Sequence, residues 1–409
     1  MAGAARRNGA AVRPAPFGRV LVLDGRERMS LAACRALARQ GFEVGVAGHE
    51  RERDLAARSR YARRFDPLPD PSGPAEPYES ALRALVERQG YVAIVPSHDV
   101  TLARLASIDC PVPTLSPLGP AWHELQDKVR LASLCERADL AYPATVELAD
   151  ADAIASALER VGTPAYVKSA RSAVATADRV GFTRGARRVR NAEEARLAFA
   201  DLREKELPVI VQEAVPPARK YSVVVLRRDG SSELRYALGY LREYPRTGGI
   251  GATLETLDPR APDVAEAIET LERVCEAAGY EGIVQAELYR RRSDGRFVVL
   301  DVNPRLWGSV WFAERLGLKP VERALRNALD LPALPSLPGY PASRRFHTVD
   351  FEVVWALSGP KPRRDLARLF ASFRPADSFE WLDLTDPAPT FAHVVQTVAD
   401  RRSKADHHQ

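Results

Sequence analysis

Val20-Leu21-Val22-Leu23 is apolar at every position, and it passes through Asp24-Gly25 into a helical pattern from Met29 to Gln40. A strand with no polar alternation has to be covered on both faces, as in a parallel sheet flanked by helices. Gly41 stops the helix, and Phe42 to Ala47 reads as a second strand. Beyond a Pro-rich loop at residues 67–77, a helix from Tyr78 to Gln89 precedes a strand from Val92 to Val95. Strands alternating with helices predict a doubly wound parallel sheet, whose ligands sit at the carboxyl ends of the strands. Asp24-Gly25-Arg26 and Ser97-His98-Asp99 fall at such ends, where turn and cap chemistry accounts for them equally well. The first strand is not followed by GxGxxG, which disfavours a standard dinucleotide-binding domain.

Pro111, Pro113, Pro117 and Pro120 mark a boundary beyond which the texture changes. Helices are expected at Asp127–Asp139 and Asp150–Val161, with the segment Thr145–Leu148 between them and a strand at Ala165–Lys168 after them. Asn191 and Glu194 make a capping box for a helix running to about Arg203. Strands at Val209–Gln212, Tyr221–Leu226 and Glu233–Gly239 follow, the last two joined by the hairpin signal Asp229-Gly230. A helix from Asp263 to Ala278 precedes a second hairpin, Ile283–Tyr289 with Phe297–Val302, turned at Asp294-Gly295. Hairpins mixed with helices indicate an α+β region, and Leu331–Pro341 forms a second Pro-rich joint.

Composition excludes several function classes. With 59 Lys+Arg against 54 Asp+Glu among 409 residues, the surplus of five charges is too thin to argue for nucleic acid. The basic run Arg184–Arg190 has no aromatic partner for stacking on bases. No stretch approaches the roughly 18 consecutive apolar residues of a membrane helix. Cys34, Cys110, Cys135 and Cys275 are scattered, which fits buried thiols in a reducing compartment rather than a zinc site. The first 17 residues are rich in Ala, Arg and Pro without an apolar core, so a basic tail and a cytoplasmic protein are expected.

The chemistry concentrates in Glu281-Gly-Ile-Val-Gln-Ala-Glu287 and, after the turn, Phe297-Val-Val-Leu-Asp-Val-Asn-Pro-Arg305. Period-two alternation sends Asp301 and Asn303 to one face, and Glu287 can lie across from Asp301. Two carboxylates and an amide oxygen are hard ligands suited to Mg²⁺, and carboxylates so close repel unless a cation neutralises them. Arg305, just past Pro304, could hold a phosphate oxygen beside such a metal. Taken alone, the segment fits a solvated surface hairpin equally well.

It does not stand alone. Asp301-Val-Asn-Pro-Arg-Leu-Trp-Gly-Ser309 resembles the end of the catalytic sheet in the ATP-grasp ligases, in their carboxylate–amine ligase branch, with Asp301 where glutamate is usual. Further segments are similar to that family in its own order: Asp127-Lys128 opening a helix, Tyr166-Val167-Lys168 ending a strand, and Val211-Gln212-Glu213-Ala214-Val215 as the interdomain hinge. Leu241–Gly249 resembles the branch's loop ahead of the substrate, and Asp386-Pro387-Ala388-Pro389 more weakly resembles a family ending.

The resemblance implies a Rossmann-like pre-ATP-grasp domain followed by a two-lobed ATP-grasp fold. It divides the chain into a tail (1–18), the first domain (19–118), a small lobe (119–205), a catalytic lobe (206–335) and a C-terminal appendage (336–409). It further implies an ATP-dependent enzyme that activates a carboxylate as an acyl phosphate and joins it to an amine. Lys128 and Lys168 would meet the nucleotide phosphates; Gln212, Glu213 and Val215 would meet the adenine. Glu287, Asp301 and Asn303 would hold Mg²⁺, with Mn²⁺ able to substitute. Arg305, Arg242 and Arg246 would act on the acyl phosphate or substrate carboxylate, and Ser309, Gly248 and Gly249 would touch substrate. The expected partners are small acids and amines, with no nucleic acid and no membrane, and homodimerisation is left open. A carboxylase, a kinase or a degenerate ATP-binding regulator would share much of this pattern. Two segments depart from the family: the flap after Lys168 carries glycine only at Gly181, and Lys220 stands where an acidic residue for the ribose hydroxyls is sought.

Overall fold

A computed structural model describes residues 17–183, 185–244, 249–337 and 339–406. Its first sheet is built from β1 (Arg19–Val22), α1 (Arg28–Arg39), β2 (Glu43–Gly48), β3 (Ala62–Pro67), α2 (Ala75–Gln89), β4 (Tyr91–Val95) and α3 (Asp99–Leu105). The four strands are parallel in the order β3-β2-β1-β4. Val20, Leu21, Val22 and Leu23 are all buried, as their unbroken apolar run requires. The strand β3 was not anticipated; residues 67–77 only begin their loop after it. At the point where strand order reverses, the Asp24 carboxylate accepts from the backbone N–H groups of Ser97 and His98, each at 2.9 Å. That side chain ties the end of β1 to the loop after β4. Gly25 is required beside it, because a Cβ there would lie 1.8 Å from Asp54 Oδ1. A cavity of about 430 Å³ opens at these strand ends, bordered by Asp24, Gly25, Asp54 and His98.

The next sheet begins after α4 (Pro120–Gln126) and α5 (Lys128–Arg137). It comprises β5 (Thr145–Leu148), β6 (Ala165–Ser169), β9 (Arg187–Val189) and β10 (Val209–Glu213), antiparallel in the order β5-β10-β6-β9, with α6 (Ile154–Val161) and α7 (Ala192–Glu204) covering it. Between β6 and β9 lies a two-stranded hairpin, β7 (Ala173–Ala175) with β8 (Val180–Phe182). The helix expected from Asp150 starts at Ile154, because the Asp150 carboxylate instead caps the preceding turn at Asp152 N and Ala153 N. The capping box is displaced by one residue on its return arm. Asn191 Oδ1 accepts from Glu194 N at 2.9 Å, whereas Glu194 Oε2 accepts from Arg190 N at 2.8 Å.

The largest sheet has seven strands in the order β15-β14-β11-β12-β13-β16-β17. Its members are β11 (Pro217–Arg228), β12 (Ser231–Tyr244), β13 (Ile250–Thr256), β14 (Gly282–Arg291), β15 (Phe297–Asn303), β16 (Arg345–His347) and β17 (Ser378–Phe379). Asp229 and Gly230 turn β11 into β12 with φ of 51° and 75°, the two positive angles a twisted two-residue hairpin needs. Both faces are buried, and alternation along β11 divides its side chains between them. Val223 and Val225 pack with Leu271 and Val274 of α8 (Pro262–Ala278), while Val224 and Leu226 share a core with Trp307 and Phe312. That second core also takes in Leu37 and Val44, so the first sheet and the largest one are packed together.

After α9 (Val310–Arg315) and α10 (Pro320–Ala328), the chain adds β16 and β17 to the sheet edge along with α11 (Val349–Leu357), α12 (Pro362–Ala371) and α13 (Ala388–Asp406). It then returns to the first domain. The buried Arg35 guanidinium reaches Asp386 Oδ2 at 2.9 Å, and Arg28 meets both Glu380 oxygens at 2.9 Å. Among the described residues, no helix is long and apolar enough to cross a membrane.

Candidate active site

The hairpin β14–β15 pairs Glu287 with Asp301 and Gln285 with Asn303. Asp301 and Asn303 share a face because they are two residues apart on one strand. Lys128, the first residue of α5, reaches across to place Nζ 3.1 Å from Asp301 Oδ1. Its position is fixed from two directions. Asp127 caps the helix by accepting from Val129 N at 3.0 Å, and Lys128 N donates to Ala170 O at 3.0 Å. Lys168 comes from β6, on the other sheet.

These charges shape one another. Burial drives the Lys168 amine down to about 7, and the neighbouring Lys128 adds to the effect against the pull of Asp301 and Glu287. Burial acts to raise the Asp301 carboxyl, but Lys128 and Lys168 together hold it below the usual carboxylate range. This is a recess with excess positive charge on one side and paired carboxylates on the other, suited to polyanionic phosphate. Asn303 Nδ2 donates to Gln285 Oε1 at 3.0 Å and to Asp301 Oδ2 at 3.3 Å, which leaves the amide oxygen as the atom to face a cation. Among the described residues, no group of three or more His, Cys, Asp or Glu side chains converges as a metal cage. The donor set is two carboxylates and an amide oxygen, hard ligands that fit Mg²⁺ or Mn²⁺ and not Zn²⁺.

Other expected site residues are engaged elsewhere. Arg305 is held by Asp99, with Nε 2.6 Å from Oδ1, while its charge still contributes to lowering Asp301. Arg242 lies on β12, not on a loop, and its guanidinium faces Glu352 Oε1 at 3.2 Å and the Trp355 ring. Glu352 is fully buried, and a buried carboxylate demands a counter-ion, so Arg242 is committed to the C-terminal segment. Arg246 and Gly248 lie outside the described residues. Glu213 closes β10 onto Ala144, its N–H donating to Ala144 O and its carboxylate accepting from Ala144 N. Gln212 is buried and donates to Thr145 Oγ1 at 2.9 Å, and Val215 is buried at the end of the same segment. Ser309 precedes α9 and borders a cavity of about 120 Å³ with Arg28, Tyr240, Gln285 and Glu287. Gly249 is buried and offers its carbonyl to Lys220 Nζ at 3.0 Å.

Lys220 is the residue whose importance sequence reasoning missed. Its buried amine lies 3.0 Å from Glu287 Oε2 and 3.1 Å from Glu243 Oε1, over the Tyr240 ring. Burial favours loss of its proton, but Glu287 and the other anionic neighbours raise it well above the ordinary lysine value.

The β7–β8 hairpin, which follows Lys168 in the chain, is docked on the first domain. Val180 N donates to Ser72 O at 2.9 Å, and Ala75 N to Ala177 O at 2.8 Å. Buried Arg104 donates to Thr176 O at 2.8 Å and to Pro71 O at 3.1 Å, and the His98 and Phe182 rings meet at 4.9 Å.

Residues 133–312 match the family model for the ATP-grasp domain. The chain carries an ATP-grasp domain. The match includes Lys168, Asp301 and Asn303 and begins just after Lys128. Solved structures of the same fold include a biotin carboxylase from Campylobacter jejuni, 18% identical, with a TM-score of 0.63 over 80% of this chain and 74% of that one. An N5-carboxyaminoimidazole ribonucleotide synthetase, solved as its ADP complex, is 13% identical, with a TM-score of 0.63 over 89% of this chain and 90% of that one. An L-amino acid ligase from Bacillus licheniformis is 15% identical, with a TM-score of 0.59 over 77% of this chain and 75% of that one. At these identities the likeness is one of fold. No curated protein matches the chain by sequence.

Proposed function

We propose that this ATP-grasp protein is an ATP-dependent ligase that activates a small carboxylate as an acyl phosphate and joins it to an amine, releasing ADP and phosphate. The observation that carries the proposal is the convergence of Lys128 and Lys168, from two separate elements, on the carboxylate of Asp301. A carboxylate oxygen attacks the γ-phosphorus as the bond to ADP breaks; the amine then attacks the acyl carbon and phosphate leaves. Neither step needs a covalent enzyme intermediate, so the demand on the protein is placement and charge neutralisation.

Lys168 and Lys128 supply that charge against the nucleotide phosphates. Asp301 and Asn303, with Glu287 opposite, would hold Mg²⁺, which supplies bridging and charge withdrawal at the phosphates when bound. Gln212, Glu213 and Val215 border the hinge, where they would offer backbone and apolar contacts to adenine. The hairpin β7–β8 would keep water from the acyl phosphate. The cavity beside Ser309, about 120 Å³, is where a small acid would sit. That one protein of the same fold is an L-amino acid ligase supports reading an amine as the second substrate.

The test is incubation with ATP, Mg²⁺ and pooled small carboxylates and amines, following ADP and phosphate. Phosphate release that requires both an acid and an amine is expected. A phosphorylated organic product without free phosphate contradicts ligation and makes the protein a kinase.

A further inference from the structure

The cavity of about 430 Å³ at the strand ends of the first domain has no part in the proposed ligation. Its volume falls within the roughly 300–1,000 Å³ typical of small-molecule pockets. It also opens where strand order reverses, the usual ligand position in a parallel sheet. Its lining selects a charge. Five carboxylates border it, those of Asp24, Glu27, Glu50, Asp54 and Asp70, against Arg26 and the rings of His49 and His98. Asp54 is buried against Gly25, and its Oδ1 accepts from Ala57 N at 2.8 Å. Asp24 holds a left-handed φ of 57°, uncommon for a residue with a side chain. It is kept there by the N–H groups of Ser97 and His98 and by the Thr101 hydroxyl. Burial raises the Asp24 carboxyl and drives that of Asp54 up to about 6, where the charge of Asp24 adds to the effect. Arg26, the arginine that acts on Asp54, is drawn into an exposed ion pair with Glu50 at 3.1 Å.

Such a lining repels phosphates and carboxylates. Among the described residues, no three His, Cys, Asp or Glu side chains converge as a metal cage, and the remaining walls include Leu23, Leu68, Tyr78 and Val100. An organic cation answers both features, with an ammonium for the acids and carbon for the apolar wall. The same walls also carry the β7–β8 hairpin. Val180 N donates to Ser72 O, Arg104 donates to both Pro71 O and Thr176 O, and the Phe182 ring meets the His98 ring. Pro71, Ser72 and His98 all border the cavity.

We infer that this cavity is a binding site for a small organic cation, a primary ammonium compound, and that filling it steadies the β7–β8 hairpin on the first domain. An ammonium brought to Asp24 and Asp54 relieves the repulsion between two neighbouring carboxylates and offers three donors to their oxygens. A ligand that orders residues 70–72 and His98 also orders what is bonded to them, so cavity and hairpin share one coupling free energy. The inference uses neither nucleotide nor metal and stands apart from the ligase reading.

The experiment titrates the full-length chain at pH 8, without nucleotide, with ethanolamine, putrescine and agmatine by calorimetry. Ethylene glycol, butanediol and succinate serve as neutral and anionic counterparts, and hydrogen exchange is followed with and without each amine. At least one amine is expected to bind and to slow exchange at residues 48–50, 70–72 and 173–182, while the diols and succinate do neither. Asp54→Asn should weaken that amine by at least about tenfold, the effect of removing a charged hydrogen-bond partner. Absence of amine binding, equal binding of a diol or succinate, unchanged exchange at residues 48–50, or full affinity in a folded Asp54→Asn chain overturns the site. Amine binding without slower exchange at residues 173–182 overturns its hold on the hairpin. Should Asp54→Asn not fold, the exchange at residues 48–50 of the wild-type chain decides alone.

Discussion

Lys128 and Asp301 form an ion pair at 3.1 Å that joins the first residue of α5 to β15, the edge strand of the seven-stranded sheet. The pair is not simply a structural bridge. Asp301 also accepts from Asn303 Nδ2 and is influenced by Lys168 and Arg305, so one carboxylate organises cations from three places in the chain.

Removing either partner should therefore act on turnover before it acts on folding. Lys128→Met is expected to lower kcat/KM by on the order of a hundredfold to a thousandfold, the usual effect of deleting one charge-stabilising donor. Asp301→Ala is expected to abolish turnover. Both variants should keep a cooperative melting transition, measured by circular dichroism. Wild-type rates in Asp301→Ala would remove this residue from the chemistry.

Lys168 makes nucleotide binding dependent on pH. In the free protein, burial followed by the charge of Lys128 holds its amine at about 7, so it is half charged near neutrality. Phosphates beside it favour the charged form, so binding takes up a proton wherever the free amine is neutral. Affinity for ATP should therefore weaken as pH rises above about 7. Calorimetry at pH 8 in two buffers of different ionisation enthalpy should show proton uptake that vanishes in Lys168→Met. For stability the sign is different: unfolding restores an ordinary lysine, so the cost of charging buried Lys168 is present below about 7 and fades as pH climbs toward the ordinary lysine value of 10.5.

Arg104 links the β7–β8 hairpin, proposed to cover the recess, to the first domain by donating to Thr176 O and Pro71 O. Arg104→Met should loosen residues 173–182 without opening the sheets. Faster hydrogen exchange in that segment is expected, together with ATP hydrolysis no longer tied to product formation, as water reaches the acyl phosphate. Unchanged exchange there would show that the arginine does not hold the hairpin.

The return of the C-terminal segment to α1 depends on a buried charge. Arg35 is 1% exposed and meets Asp386, which also accepts from Ser59 Oγ at 2.7 Å and Arg60 N at 2.9 Å. Asp386→Ala leaves the guanidinium buried without its main partner and should cost about 3–5 kcal/mol, read as a lowered urea midpoint. A loss below 1 kcal/mol would mean the segment is not locked at this point.

Much of this arrangement is legible in residue order. The period-two spacing of Asp301 and Asn303 predicts their shared face, and Asp229-Gly230 predicts the β11–β12 turn. The strand β3 escapes because it is an edge strand whose Arg63 and Arg64 are exposed, so it shows no buried apolar face. The place of Arg242 on β12 is hidden for a different reason. A guanidinium next to glycines looks like a phosphate clamp, and its true partner, Glu352, becomes a neighbour only when the C-terminal segment folds back onto the sheet. Lys220 needs the alignment of β11, β12 and β14 together, since its acceptors lie on separate strands and the following loop.

The central claim is that ATP phosphorylates a carboxylate in this recess. The direct measurement supplies pooled small carboxylic acids labelled with heavy oxygen, together with amines and ATP, and analyses the released phosphate by phosphorus NMR or mass spectrometry. Passage through an acyl phosphate predicts one labelled oxygen in each phosphate released. Amine- and acid-dependent phosphate that carries no label would contradict the account.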